Sequence, residues 1–100
     1  MSEPTPSLAP LQIADLDGDK LAELFTDVDA LGERVEVVLK RGPARVESHD
    51  NTSLASAMQL LTQGRVQGVQ LRYRYRGVEW WDTVMRTSDG YRLVRMQQDR

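Results

Sequence analysis

From Leu21 onward the apolar residues Leu24, Phe25, Val28 and Leu31 follow the three-and-four spacing of one helical face, and Gly32 stands where a C-terminal cap is expected. Asp17 or Asp19 suits the start of this helix, because a carboxylate there accepts a bond from an unpaired N–H and faces the positive end of the dipole. The period then changes. Val35, Val37 and Leu39 alternate with Arg34, Glu36, Val38 and Lys40, which predicts a strand that Gly42-Pro43 prevents from running on. A short strand over Arg45 to Glu47 is expected to pair back with it. Asn51 or Thr52 can cap a second helix with Leu54, Met58 and Leu61 along one side and Ala57 and Leu60 beside them, ending near Gly64. Three strands are predicted after it: Val69 to Tyr75, Glu79 to Met85, and Tyr91 to Met96. The last two are joined by Asp89-Gly90, a strong hairpin signal.

This order predicts an α+β domain: helix, strand with a short second strand, helix, then a three-stranded antiparallel meander, with the helices on one face of the sheet. Met1 to Pro10 holds three of the four prolines and lacks a periodic apolar pattern. Residues 1–14 are therefore expected to form a flexible tail and 15–100 a single domain, since a chain of 100 residues supports one core. The chain carries no internal repeat.

The stretch LRYRYRGVEWWDT, Leu71 to Thr83, holds the densest mixture of cationic and aromatic residues. Parity decides which of them meet, because successive side chains on a strand point to opposite sides of the sheet. A two-residue Asp89-Gly90 turn pairs Ser88 with Tyr91 and hence Met85 with Val94, which groups Trp81, Met85, Val94 and Met96 on one apolar, core-facing side. Val69, Leu71, Tyr73 and Tyr75 join that side only if the loop at Arg76-Gly77-Val78 has an odd number of residues, so a three-residue loop with a glycine bulge is expected. The alternative is a two-residue Arg76-Gly77 turn, which sets Tyr73 opposite Trp80 and Arg74 opposite Glu79. Core continuity favours the odd loop over one exposed ion pair worth about 0 to 1 kcal/mol.

In the odd-loop register the outer face gathers Arg72, Arg74, Trp80, Asp82 and Arg95. Arg72 would lie opposite Asp82, Arg74 opposite Trp80, and Arg95 diagonally from Asp82. Such pairs stabilise an exposed sheet without any ligand, by about 0.2 to 1 kcal/mol each. A solvent-facing tryptophan among arginines also fits a protein–protein anchor, since both residue types are enriched at binding hot spots. A third reading is single-stranded nucleic acid stacked on the same face. The chain's net charge of −2 and its lack of an RNP-type consensus weigh against that.

Charge is unevenly divided. Met1 to Gly64 carries 5 Lys+Arg against 11 Asp+Glu, a net of −6, whereas Arg65 to Arg100 carries 8 against 4, a net of +4. The halves can complement one another within the fold, or the basic half can meet an anionic partner. Asp19, Glu23 and Asp27 recur every four residues on helix one; a solvated face accounts for them, as does complementarity with the arginines of another subunit in a homodimer.

With no cysteine and the single histidine His49, disulfide, thiolate and zinc-cage chemistry are excluded, leaving only an all-carboxylate Mg²⁺ or Ca²⁺ site open. DLDGD, Asp15 to Asp19, departs from a calcium loop: glycine falls at the fourth position, Lys20 at the sixth and Thr26 at the twelfth, so a turn and helix cap is the better reading. His49 beside Asp50 has no nucleophile elbow to serve, and the nucleotide and zinc-protease motifs are missing. No metal, cofactor or catalytic residue is assigned. The sequence shows neither a span of about 20 apolar residues nor signal-peptide character in MSEPTPSLAP, so no membrane is expected and a cytoplasmic location is.

The C-terminal stretch DGYRLVRMQ, with the meander that contains it, resembles the last part of cystatin-like or NTF2-like cone folds over about the final third of the chain. That resemblance implies a truncated cone as the alternative architecture and no particular function. The expectation is a non-catalytic interaction or accessory protein presenting Arg72, Arg74, Trp80, Asp82 and Arg95 to a protein partner. Nucleic-acid binding through that face comes second, and a small-ligand pocket between helix two and the sheet third.

Overall fold

The computed structural model describes residues 11–41, 46–48 and 52–98. Eight elements follow in order: β1 (Leu11–Leu16), α1 (Gly18–Leu31), β2 (Glu33–Arg41), β3 (Val46–Ser48), α2 (Leu54–Thr62), β4 (Gly68–Tyr75), β5 (Val78–Arg86) and β6 (Tyr91–Gln98). The fold is α+β. The strands form one six-stranded sheet in the order β1-β6-β5-β4-β2-β3, antiparallel at every join. Leu21, Leu24, Phe25 and Val28 of α1 and Ala57 and Leu61 of α2 meet Val37, Leu39, Val69, Leu71, Tyr73, Trp80, Val84 and Leu93 in one core, so both helices lie against the same, inner face.

Helix one starts as its sequence predicts: Asp17 is the N-cap, and its Oδ1 accepts from the Lys20 N–H at 2.8 Å. Gly32 closes the other end by donating its N–H to the Val28 carbonyl at 2.8 Å. Helix two is capped by Ser53 rather than by Thr52, with Ser53 Oγ accepting from the Ser56 N–H at 3.0 Å. Asn51, the other expected cap, lies outside the described residues, as do Gly42-Pro43, Arg45 and His49.

Two expectations about the chain's course are corrected. Leu11 to Ala14, expected in a flexible tail, belong to β1, an edge strand that pairs antiparallel with β6 from Leu11↔Met96 to Leu16↔Tyr91. The prolines lie before this stretch, and their composition masks a short alternation of Leu11 and Ile13 with Gln12 and Ala14. With β1 in place, α1 becomes a crossover. β1 and β2 run parallel with three strands between them. The 14-residue helix, about 21 Å long at 1.5 Å per residue, carries the chain across four strand spacings of about 4.8 Å.

The second correction concerns the two hairpins of the meander. The β4–β5 turn is the two-residue Arg76-Gly77, with φ of 55° and 80°, and both central residues are left-handed as a type I′ turn requires. Tyr73 therefore faces Trp80 and Arg74 faces Glu79. The β5–β6 connection spans Thr87 to Gly90 rather than two residues, pairing Arg86 with Tyr91. A Cβ on Gly90 would approach the Leu16 carbonyl oxygen to 2.7 Å, so this glycine serves the close passage of β1 rather than a tight turn.

Candidate functional site

The even turn at Arg76-Gly77 reverses the faces of β4 relative to β5. Trp80 is 8% exposed and sits in the core, while Trp81 is half-buried on the outer face. The five residues expected on one surface are thereby divided. Trp80, Asp82 and Arg95 lie on the inner face beneath the helices, and Arg72 and Arg74 on the outer one. The expected pairings of Arg72 with Asp82 and Arg74 with Trp80 do not form, since Arg72 faces Trp81.

Expectation and structure agree on one contact, that between Asp82 and Arg95, although it is direct rather than diagonal and buried rather than outward. Arg95 Nε donates to Asp82 Oδ1 at 2.9 Å and Nη2 to Oδ2 at 2.8 Å, and the Tyr73 hydroxyl donates to Oδ2 at 2.8 Å. The Asp82 side chain is 0% exposed and that of Arg95 29%. A carboxylate so enclosed persists only when its lone pairs are filled, and here three donors fill them. Burial, with the Asp82 charge beside it, pushes the Tyr73 hydroxyl well above its ordinary value. The hydrogen bonds to Asp82 raise Arg95 further above an already high value.

Arg95 also borders open space. A cleft of about 200 Å³ lies between the C-terminal half of α1 and the sheet, lined by Leu24, Asp27, Val28, Tyr73, Tyr75 and Arg95 among others. A smaller one beside it is bounded by Gln12, Trp80 and the same two tyrosines and arginine. The expected pocket between helix two and the sheet takes a different place: helix two lines a depression against helix one, through Phe25, Thr26, Asp29, Ser53, Leu54, Ala55 and Met58.

No protein-family model matches the chain, and neither a curated protein nor a solved structure does. The reading of the sites rests on their geometry.

The outer face is a second arrangement, in which Trp81, Val94 and Met96, expected in the core, join Gln70 and Arg72. Cross-strand rows run Gln70–Thr83–Val94–Ile13 and Arg72–Trp81–Met96. The Arg72 guanidinium lies 4.0 Å from the Trp81 ring centroid, and Arg72 Nε donates to Gln70 Oε1 at 2.7 Å, which holds the stack in place. Gln70 Nε2 in turn donates to Thr83 Oγ1 at 2.8 Å, and the Trp81 indole N–H to Glu79 Oε2 at 2.9 Å. Beside this fixed patch Met96 is 46% and Ile13 62% exposed. Sequence reasoning missed Ile13 because residues 1–14 read as a tail, and missed Trp81 and Met96 as surface residues because the larger apolar set reads as the core. The signal that would have found them was the Arg76-Gly77 dipeptide, read as a type I′ turn.

Among the described residues no cluster of three or more acidic or histidine side chains is placed to hold a metal ion, and no helix is long and apolar enough to cross a membrane.

Proposed function

We propose that the protein is a non-catalytic interaction or accessory protein that binds a protein partner through the outer face of its sheet. The observation that carries this reading is the Arg72–Trp81 stack beside the exposed side chains of Met96 and Ile13. An aromatic residue and an arginine already held in one geometry lose little conformational freedom on binding, which is the usual makeup of a hot spot. The neighbouring apolar residues supply area that a partner can remove from water. Arg74 at the margin is exposed, so the fitting partner offers an apolar anchor with acidic groups around it.

Single-stranded nucleic acid through this face is the weaker reading, since the one outward indole is already covered by Arg72 and does not offer a bare platform for a base. The likeness of the β4–β6 meander to a truncated cystatin-like or NTF2-like cone is a proposal about fold only. It is supported by helices lying on one side of the sheet, and carries no function with it.

Affinity purification with the intact protein, Trp81→Ala and Met96→Lys tests the reading. Both variants should lose a partner that the intact protein retains, with little change in melting temperature. Trp80→Ala should instead cost about 3 to 5 kcal/mol of stability as a core truncation. Partners held equally by all of these proteins would place the interaction elsewhere. Binding of random oligonucleotides that weakens steeply with salt would transfer the face to nucleic acid.

A further inference from the structure

The cleft beneath α1 is separate from the outer face and brings together a guanidinium, a carboxylate and an apolar wall. The first is the far edge of Arg95. A guanidinium has two forks, and Asp82 occupies the Nε/Nη2 side; Nη1 has no acceptor among the described residues, and the side chain opens to the cleft. The second is negative. Asp27 stands exposed at the rim with no ion-pair partner among the described residues, and α1 ends beside it with no basic residue in its last turn. The negative end of the helix dipole is thus uncompensated. The third is apolar: Leu31, 57% exposed, and the half-buried ring of Tyr75 border the cleft, backed by the core side chains of Leu24, Val28 and Tyr73.

The charges decide the class of ligand. Asp82 already neutralises Arg95, so Asp27 leaves the surroundings net negative, and a simple carboxylate would add to that charge. A simple ammonium would satisfy Asp27 but leave the outer edge of Arg95 without an acceptor. A molecule with both groups on one carbon and an apolar side chain answers all three. We propose that this cleft binds a free α-amino acid with an apolar side chain. Its carboxylate lies on the outer edge of Arg95, its ammonium is turned toward Asp27 and the end of α1, and its side chain rests against Leu31 and Tyr75. A cleft of about 200 Å³ suits a ligand of single-residue size.

Calorimetric titration with L-leucine, 4-methylpentanoate and isopentylamine separates the contributions. L-leucine should bind with a dissociation constant of about 1 mM or tighter, and each half-ligand at least about tenfold more weakly. Asp27→Asn changes an exposed rim residue and should leave the fold intact. In that variant L-leucine should weaken and 4-methylpentanoate strengthen until their affinities converge. Arg95→Lys keeps the charge near Asp82 but lacks the second fork, and should abolish L-leucine binding; circular dichroism establishes that it is folded. The proposal is overturned if L-leucine and L-phenylalanine both fail to bind the intact protein, if Asp27→Asn leaves the preference for L-leucine over 4-methylpentanoate untouched, or if folded Arg95→Lys binds as the intact protein does.

Discussion

At the scale of single residues the protein's least ordinary feature is a charge carried into its core. Replacing a buried ion pair with well-packed apolar residues is often neutral or stabilising, whereas removing one member commonly costs about 3 to 5 kcal/mol. The Asp82–Arg95 pair is therefore weak evidence of a stabilising role; it fixes one edge of a guanidinium whose side chain, 29% exposed, also lines the cleft. Tyr73 completes the cluster and makes it sensitive to alkali. Its hydroxyl ionises at higher pH in the folded chain than in the unfolded one, because burial and the Asp82 charge both oppose a phenolate. Above the unfolded value of about 10, the unfolded chain gives up this proton while the folded chain keeps it, so stability falls as pH rises. Urea midpoints at pH 8, 10 and 11 should decline for the intact protein. Tyr73→Phe should start lower, by about 1 to 3 kcal/mol for the bond lost to a charged acceptor, and then decline less. Parallel curves for the two proteins would mean that Tyr73 does not sense the carboxylate.

At the scale of elements, the two hairpins of the meander decide everything that lies on either face. Helices and strands were legible because each depends on a local period. Leu21 to Val28 and Val35 to Leu39 bury the faces their spacing predicts, and Asp17 and Gly32 mark the ends of α1 as expected. The relation between strands was not legible in the same way, since it turns on whether a loop holds an even or an odd number of residues. Core continuity does not select the register, because the outer face is also rich in apolar residues and the inner face holds a satisfied ion pair whose residues read as exposed in the polar and apolar pattern. The local turn chemistry carried the right answer at Arg76-Gly77, where φ values of 55° and 80° need a glycine second. Gly77→Ala, with open space around its Cβ, should cost about 1 to 2 kcal/mol from backbone conformation alone. Arg76→Asn should gain a few tenths, because asparagine tolerates the left-handed region better. Denaturant midpoints check both, and an unaffected Gly77→Ala would show that the turn is not held in the I′ geometry.

At the scale of the whole molecule, β1 joins the closing of the sheet to the makeup of its outer face. Its signal in the sequence was faint for a physical reason: an edge strand with both faces partly open needs no strong alternation, and Ala14 as well as Ile13 stays exposed. Yet it covers the edge of β6, and it contributes Ile13 to the outer surface beside Met96. An uncovered β6 would offer a row of free N–H and C=O groups flanked by Val94 and Met96, which is a template for pairing with another chain. Removing residues 1–16 should therefore do more than shorten the sheet. The truncated protein should melt at a lower temperature and self-associate in size-exclusion chromatography as its concentration rises. Removing residues 1–10 alone keeps β1 whole and serves as the control for the loss of the strand itself. A truncation to residue 17 that remains monomeric and melts like the full chain would show that β1 contributes nothing to closing the sheet. The outer face would then begin at β6, with Trp81 and Met96 as its whole anchor.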